Sequence, residues 1–163
     1  ASVRSRLISE EDMVKQASEF AGTVPVRHLL PYWKTSNRYL FSGGSVNMRD
    51  AAVYAKEENW SKAVELWKQT YETKKGNQKM YAAYNTALGY EMQDSIDTAL
   101  EWALKAQTLA REKSKTDKKE TGEIHDGTIS YYIFISMYVD ELEKRKEGMA
   151  RLNMQMNRFD DDF

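Results

Sequence analysis

From Asn47 onward, apolar and small residues recur every three or four positions, the spacing that lines one face of an α-helix. Asp50-Ala51-Ala52-Val53-Tyr54 is followed by Asn59-Trp60-Ser61-Lys62-Ala63 and then by Trp67 and Thr70. The same order returns as Thr86-Ala87-Leu88-Gly89-Tyr90, Ser95-Ile96-Asp97-Thr98-Ala99, Ala103 and Ala106. Ala87 lies 36 residues after Ala51, and the same offset separates Tyr90 from Tyr54, Ile96 from Trp60, Ala99 from Ala63 and Ala106 from Thr70. A fixed offset of this size marks an internal repeat, each unit a helical hairpin. Ala51 and Ala63 are small because two antiparallel helices must approach closely there, while Tyr54 and Trp67 fill the volume between hairpins. The predicted hairpins span 47–73 and 79–112.

Two hairpins are fewer than the three repeats usually needed to cover the apolar faces, so other segments must cap them. Thr128 to Glu147 carries a wide apolar surface, with Tyr131, Phe134, Ile135, Tyr138, Val139 and Leu142 in successive turns. It predicts a capping helix over about 127–147. Between it and the second hairpin, Lys113 to Glu123 has no large apolar side chain and predicts a long exposed loop or frayed helix end. After it, Met149, Leu152, Met154, Met156 and Phe159 predict a weaker helix, and Asp160 to Asp162 a solvated acidic tail.

At the other end, Ser9 followed by Glu10, Glu11 and Asp12 reads as a helix start, with a helix to about Ala21 stopped by Gly22. Val24 to Phe41 turns to prolines, aromatics and β-branched residues and predicts an extended segment, closed by the Gly43-Gly44-Ser45 joint. Such a segment either packs across the helices or completes a sheet. The chain thus divides into 1–46, a helix plus extended segment resembling the end of an N-terminal domain, and 47–163, an all-α helical domain.

The repeat resembles the tetratricopeptide family. Asn85, Ala87, Tyr90, Ile96, Ala99, Leu100 and Ala106 fit its pattern in the second unit, with departures at Thr86 and Ala103. In the first unit Ala51, Tyr54, Trp60, Ala63 and Trp67 fit, while Asp50 and Thr70 depart. That family's period is about 34 residues, and the two extra fit the polar Lys74-Lys75-Gly76-Asn77 connection. The resemblance implies an α-α superhelix whose concave face binds a protein or peptide. It does not extend to the chaperone-tail clamp: Asn85 matches one clamp position, but Met48 and Ala52 stand where a lysine and an asparagine are required. Asn85 is therefore expected to hydrogen-bond within or between the hairpins. A second likeness covers nearly the whole chain. Leu30-Pro31-Tyr32-Trp33, Arg38-Tyr39, Asn59 to Ala63, Leu66-Trp67, Ala82 to Ala87 and Ala99 to Ala103 are similar to the C-terminal half of bacterial cell-envelope lipoproteins. That likeness implies an envelope location and a fragment of a longer protein.

Composition narrows the function classes. Hydrophobic residues are 41% and charged residues 30% of 163, which suits one folded domain. A formal charge of −1 offers no basic stripe for nucleic acid. With no cysteine, disulfides and thiolate metal sites are excluded. No apolar run approaches the roughly 20 residues of a spanning helix, and the first residues lack the apolar core of a signal peptide. His28 and His125 stand nearly a hundred residues apart without a ligand-spaced carboxylate set, so no metal is expected. Gly43-Gly44-Ser45 lacks the lysine of a phosphate loop, and no serine or threonine sits in a nucleophile elbow, so neither cofactor nor catalysis is expected.

The aromatics remain. Tyr54, Trp67 and Tyr90 occupy inward repeat positions, whereas Tyr81, Tyr84 and Trp102 are expected to face the groove or solvent. Together with Leu88, Glu91 and Met92 they are the candidate ligand surface. Peptide or protein binding is the leading expectation, and glycan binding by stacking on exposed rings is the alternative.

Overall fold

The computed structural model describes residues 20–29, 33–121 and 131–161. An antiparallel hairpin, β1 (Phe20–Leu29) and β2 (Trp33–Phe41), precedes five helices. These are α1 (Val46–Lys56), α2 (Trp60–Thr73), α3 (Gly76–Met92), α4 (Ile96–Thr121) and α5 (Tyr131–Asp161), each antiparallel to the one before.

The 36-residue offset is written into the backbone. α1 and α3 both end in a tight turn through a non-glycine residue in the left-handed region, Glu58 at φ 58° and Asp94 at φ 59°. In the first turn Asn59 N–H donates to Tyr54 O at 2.8 Å; in the second Ser95 N–H donates to Tyr90 O at 2.9 Å. Ala63 N–H to Asn59 O and Ala99 N–H to Ser95 O then open α2 and α4. Every pair differs by 36 positions, so the two hairpins share their turn geometry as well as their side-chain pattern.

Small residues set the helix spacing as expected. Ala51, Ala63, Ala87, Ala99, Ala103 and Ala106 are all fully buried. Gly89 shows how close the approach is: a Cβ built there would lie 2.3 Å from Val64 Cγ2 and 3.2 Å from Trp67 Cζ3. Trp67 is wholly enclosed, as its repeat position predicts, whereas Tyr54 and Tyr90 are only half-buried. The Trp67 indole N–H finds no acceptor among the described residues.

α5 lies along both α3 and α4. Gln107 Nε2 donates to Ser136 Oγ at 2.9 Å, and Lys146 pairs with Asp97 at 2.8 Å, which fixes the antiparallel match with α4. Phe134, Ile135, Tyr138, Val139 and Leu142 close the core from that side.

Four expectations change. Phe20 and Ala21 belong to β1 rather than to a helix begun at Ser9; residues 1–19 lie outside those described. α4 does not stop at 112 but runs through the lysine-rich segment to Thr121, because Lys, Glu and Ser extend a formed helix at little cost even without an apolar face. The second hairpin also begins at Gly76. The separate weak helix at 149–159 is the unbroken continuation of α5, and the stretch before Tyr131 in the expected capping helix lies outside the described residues.

Candidate functional site

The α3 side that carries Tyr81, Tyr84, Leu88 and Glu91 is the one that the repeat resemblance would make a concave, ligand-facing groove. In the sequence these were expected to be open to a ligand. The structure buries all four, each at 1% exposure or less, because β2 lies in the groove and α5 closes over it. Met92 and Trp102, the other two candidates, are half-buried and pack at the edge of the core, Trp102 on α4 and facing Tyr71 of α2. The six residues do not form one surface.

β2 is held by side chains that imitate a neighbouring strand. Asn85 Oδ1 accepts from Phe41 N–H at 3.1 Å, and Asn85 Nδ2 donates to Phe41 O at 2.6 Å. The amide thus supplies both bonds of a β-ladder pair from a helix. Tyr84 OH donates to Tyr39 O at 2.9 Å, and Ser45 N–H donates to Gln78 Oε1. Asn85 is structural, as expected, but its partner is the strand and not another hairpin. Phe41 stacks on Tyr81 at 4.2 Å and meets Tyr84 and Phe134 edge-on, so its ring fills the space between these side chains. Gly44 follows with φ 111°, where a Cβ would collide with Gln78 and L-residues are strained in any case.

Below this aromatic layer sits a buried charge cluster. Glu91 Oε1 accepts from Arg38 Nε and Tyr138 OH, both at 3.1 Å; Oε2 accepts from Arg38 at 3.2 Å and from Arg145 at 3.0 Å. Arg38 and Arg145 are 4% and 7% exposed. Arg145 also reaches Asp94 at the surface, 3.4 Å away, and Arg38 lies over the Tyr138 ring. Burial by itself raises the Glu91 carboxyl, but the two guanidinium charges and their hydrogen bonds outweigh it and hold the group below the ordinary carboxylate range. Burial and the nearby Glu91 charge push the Tyr138 phenol well above its ordinary value. Two arginines gripping a carboxylate is how a protein captures an acidic ligand; here the carboxylate belongs to the fold. Arg38 comes from β2, Glu91 from α3 and Arg145 from α5, so the cluster ties α3 to the two elements that cover it. Glu91 was picked out in the sequence as a ligand residue, but its arginine partners were not, since 53 and 54 positions separate them from it.

The opposite side of α3 carries Lys79 and Tyr90 and forms the floor of a seam between α2 and α4. Tyr71 of α2 meets Trp102 of α4 edge-on at 5.0 Å. Lys79 lies 4.6 Å over Tyr71, Lys105 lies 4.1 Å over Trp102, and Lys68 sits 5.1 Å over Tyr90 and 5.7 Å from the Trp102 ring. None of these lysines pairs with a carboxylate among the described residues. The sequence signal was partial: Trp102 and Lys105 stand three apart and share a helix face, but nothing in it brings Lys68 or Lys79 to them.

No group of three or more His, Asp or Glu among the described residues is placed to hold a metal ion. His28 lies in β1, and His125 is outside the described residues. No described helix is long and apolar enough to cross a membrane.

A family profile described as a domain of unknown function, DUF6340, matches residues 49–144. A second, described as a domain of unknown function, DUF8603, matches residues 1–41. No tetratricopeptide profile matches, and neither a curated protein nor a solved structure does. Arg38 thus falls in one matched segment and Glu91 in the other, with Arg145 one residue past the end of the longer. The helices that carry the groove, the seam and Glu91 are the matched part of the chain, and with more than half of its 163 residues covered it belongs to the DUF6340 family.

Proposed function

We propose that this chain is a non-catalytic interaction module, tetratricopeptide-like in its hairpins, that keeps its concave face for its own strand and offers a partner protein the convex seam between α2 and α4. The observation that carries this reading is the filled groove. Tyr84, Asn85 and Glu91 each spend their hydrogen bonds on β2 or α5, so a peptide entering there would first have to displace a strand held by main-chain and buried ionic contacts. The seam has no such occupant among the described residues, and its side chains are half-exposed and chemically distinctive. Against catalysis stands the same economy: Glu91, the one deeply buried acid among the described residues, is saturated by two arginines and a tyrosine. The glycan reading needs open aromatic faces. Tyr81 and Tyr84 are buried, and ammonium groups cover Tyr71 and Trp102.

Selection of a random peptide library on the purified protein tests this, with the bound peptides mapped by amide chemical shifts. Perturbed amides along α2 and α4 are expected. Selected peptides that instead perturb β2 and the Tyr81 side of α3 would return the interaction to the concave face, and a selection that enriches nothing would remove the reading.

A further inference from the structure

Resting on that reading, we propose that the α2–α4 seam recognises an acidic polypeptide segment, with Lys68, Lys79 and Lys105 as the carboxylate-binding groups.

Three independent features converge on the seam. The first is charge: three ammonium groups from three different helices gather around one aromatic pair without a carboxylate partner among the described residues. A protein of net charge −1 has carboxylates to spare for them, and elsewhere it uses them, as in Lys144 with Glu141 and Lys146 with Asp97. Glu72 and Glu101 stand next to Tyr71 and Trp102 in sequence, yet neither reaches any of the three lysines.

The second is preorganisation. A lysine free in solvent loses most of its rotamer freedom on binding, which cancels much of the gain from a surface ion pair. Here each ammonium already rests on a ring at 4.1–5.7 Å, in the range where the ring's negative face attracts it. Part of the ordering cost has been met before a ligand arrives, and the ammonium donors are not consumed by the ring contact. The third is shape: the Tyr71–Trp102 contact spans two helices, so an extended segment lying along the seam meets lysines from both walls and from the floor.

The chemistry selects carboxylates over phosphates. All three cations are lysines, point charges without the two-pronged geometry by which arginine grips phosphate. The flanking Glu72 and Glu101 oppose a continuous polyphosphate backbone, whereas a peptide can place its acids between them.

The test uses a fluorescein-labelled deca-glutamate peptide, with deca-glutamine and a heparin-derived tetrasaccharide as comparisons, read by anisotropy at about 50 mM salt, where charge screening is weak. The expected result is saturable binding of deca-glutamate, none of deca-glutamine, and loss of affinity by about tenfold or more in the variant K68Q/K79Q/K105Q. Because that variant also loses its cation–ring contacts, the wild-type protein supplies a second readout: deca-glutamate should shift the Trp102 indole N–H resonance, assigned with Trp102→Phe, and leave that of the enclosed Trp67 in place. Binding unaltered in the triple variant, or a Trp102 resonance that does not move, overturns the proposal. So does tighter binding of the tetrasaccharide than of deca-glutamate, which would make the seam a site for sulfated sugars. If library peptides bind along α2 and α4 but deca-glutamate does not, the interaction reading stands and the acidic partner falls.

Discussion

At the scale of single residues, Glu91 decides most. Removing its charge leaves Arg38 buried without a counter-ion and Arg145 with only the exposed Asp94, and breaking a buried pair in this way typically costs about 3–5 kcal/mol. Glu91→Gln should therefore lose that much in urea melts at pH 7. The same group predicts an acid limb. Its folded carboxyl lies below the ordinary value of about 4.3, so the unfolded chain takes up its proton first. The stabilisation is complete above the unfolded value and disappears as pH falls through the folded one. Melts from pH 7 to pH 3 should show Glu91→Gln with a shallower acid decline than the parent; parallel curves would show that the cluster contributes nothing to it. The triple replacement Arg38→Met, Glu91→Leu, Arg145→Met should cost less than Glu91→Gln alone, because an apolar cluster strands no charge. The sequence named Glu91 for the wrong reason: it was legible as a groove residue, but the groove was assumed empty. Tyr81 and Tyr84 share that error. Their offset from the Ala87–Tyr90 face follows from the helical period, but the chain itself covers that second face with Phe41 and Phe134. Each tyrosine truncated to serine should now cost on the order of 3 kcal/mol.

At the scale of elements, the repeat was legible because it is local. Alanines at the crossings, aromatics between hairpins and the 36-residue offset all follow from period and size, and Ala63 and Ala99 are fully buried as that demands. Ala63→Leu and Ala99→Leu should each cost roughly 1–3 kcal/mol by overpacking, measured by thermal melting. Gly89 gives a sharper test, because two effects oppose each other there. Alanine is favoured over glycine within a helix by about 1 kcal/mol, yet the new methyl would meet Val64 Cγ2 at 2.3 Å, on a β-branched side chain with little rotamer freedom. Overpacking wins, so Gly89→Ala should destabilise. In a Val64→Ala background the obstruction is gone and Gly89→Ala should become neutral or stabilising. The sign change is the point: a Gly89→Ala effect of the same sign in both backgrounds would mean that Val64 is not what enforces the glycine. Element ends were less legible than element centres. Residues 113–121 carry no apolar stripe to announce a helix, yet α4 continues through them.

At the scale of the whole molecule, the missing information was which segments cover which faces. Two hairpins needed caps, and both caps were visible in the sequence as an extended segment and a wide apolar helix, but a strand docked in the groove of a helical repeat leaves no periodic trace. Its signals are single residues: Asn85 to pair with Phe41, Gly44 to turn, Arg38 to reach Glu91. The caps also set how far cooperative folding extends along α5. Its stripe of Ile135, Tyr138, Leu142 and Arg145 is buried, and the same three-and-four spacing continues through Met149, Leu152 and Met156, which are progressively open, Met156 at 59%. The contacts of α5 with the aromatic layer and the charge cluster run from Tyr131 to Arg145. A chain ending at Glu147 keeps every one of those contacts and should therefore retain a single cooperative transition. A chain ending at Ser130 loses Phe134, Ile135, Tyr138 and Leu142 from the core and Arg145 from Glu91. It should lose cooperative melting altogether and expose Phe41, Tyr81 and Tyr84 to solvent. Hydrogen exchange on the parent gives the same division without truncation: amides from Phe134 to Arg145 should exchange with those of α3, and amides beyond Arg151 should exchange orders of magnitude faster. Uniform protection along all of α5 would show that the exposed half of the helix is held by contacts of its own, and the boundary placed at Arg145 would have to move.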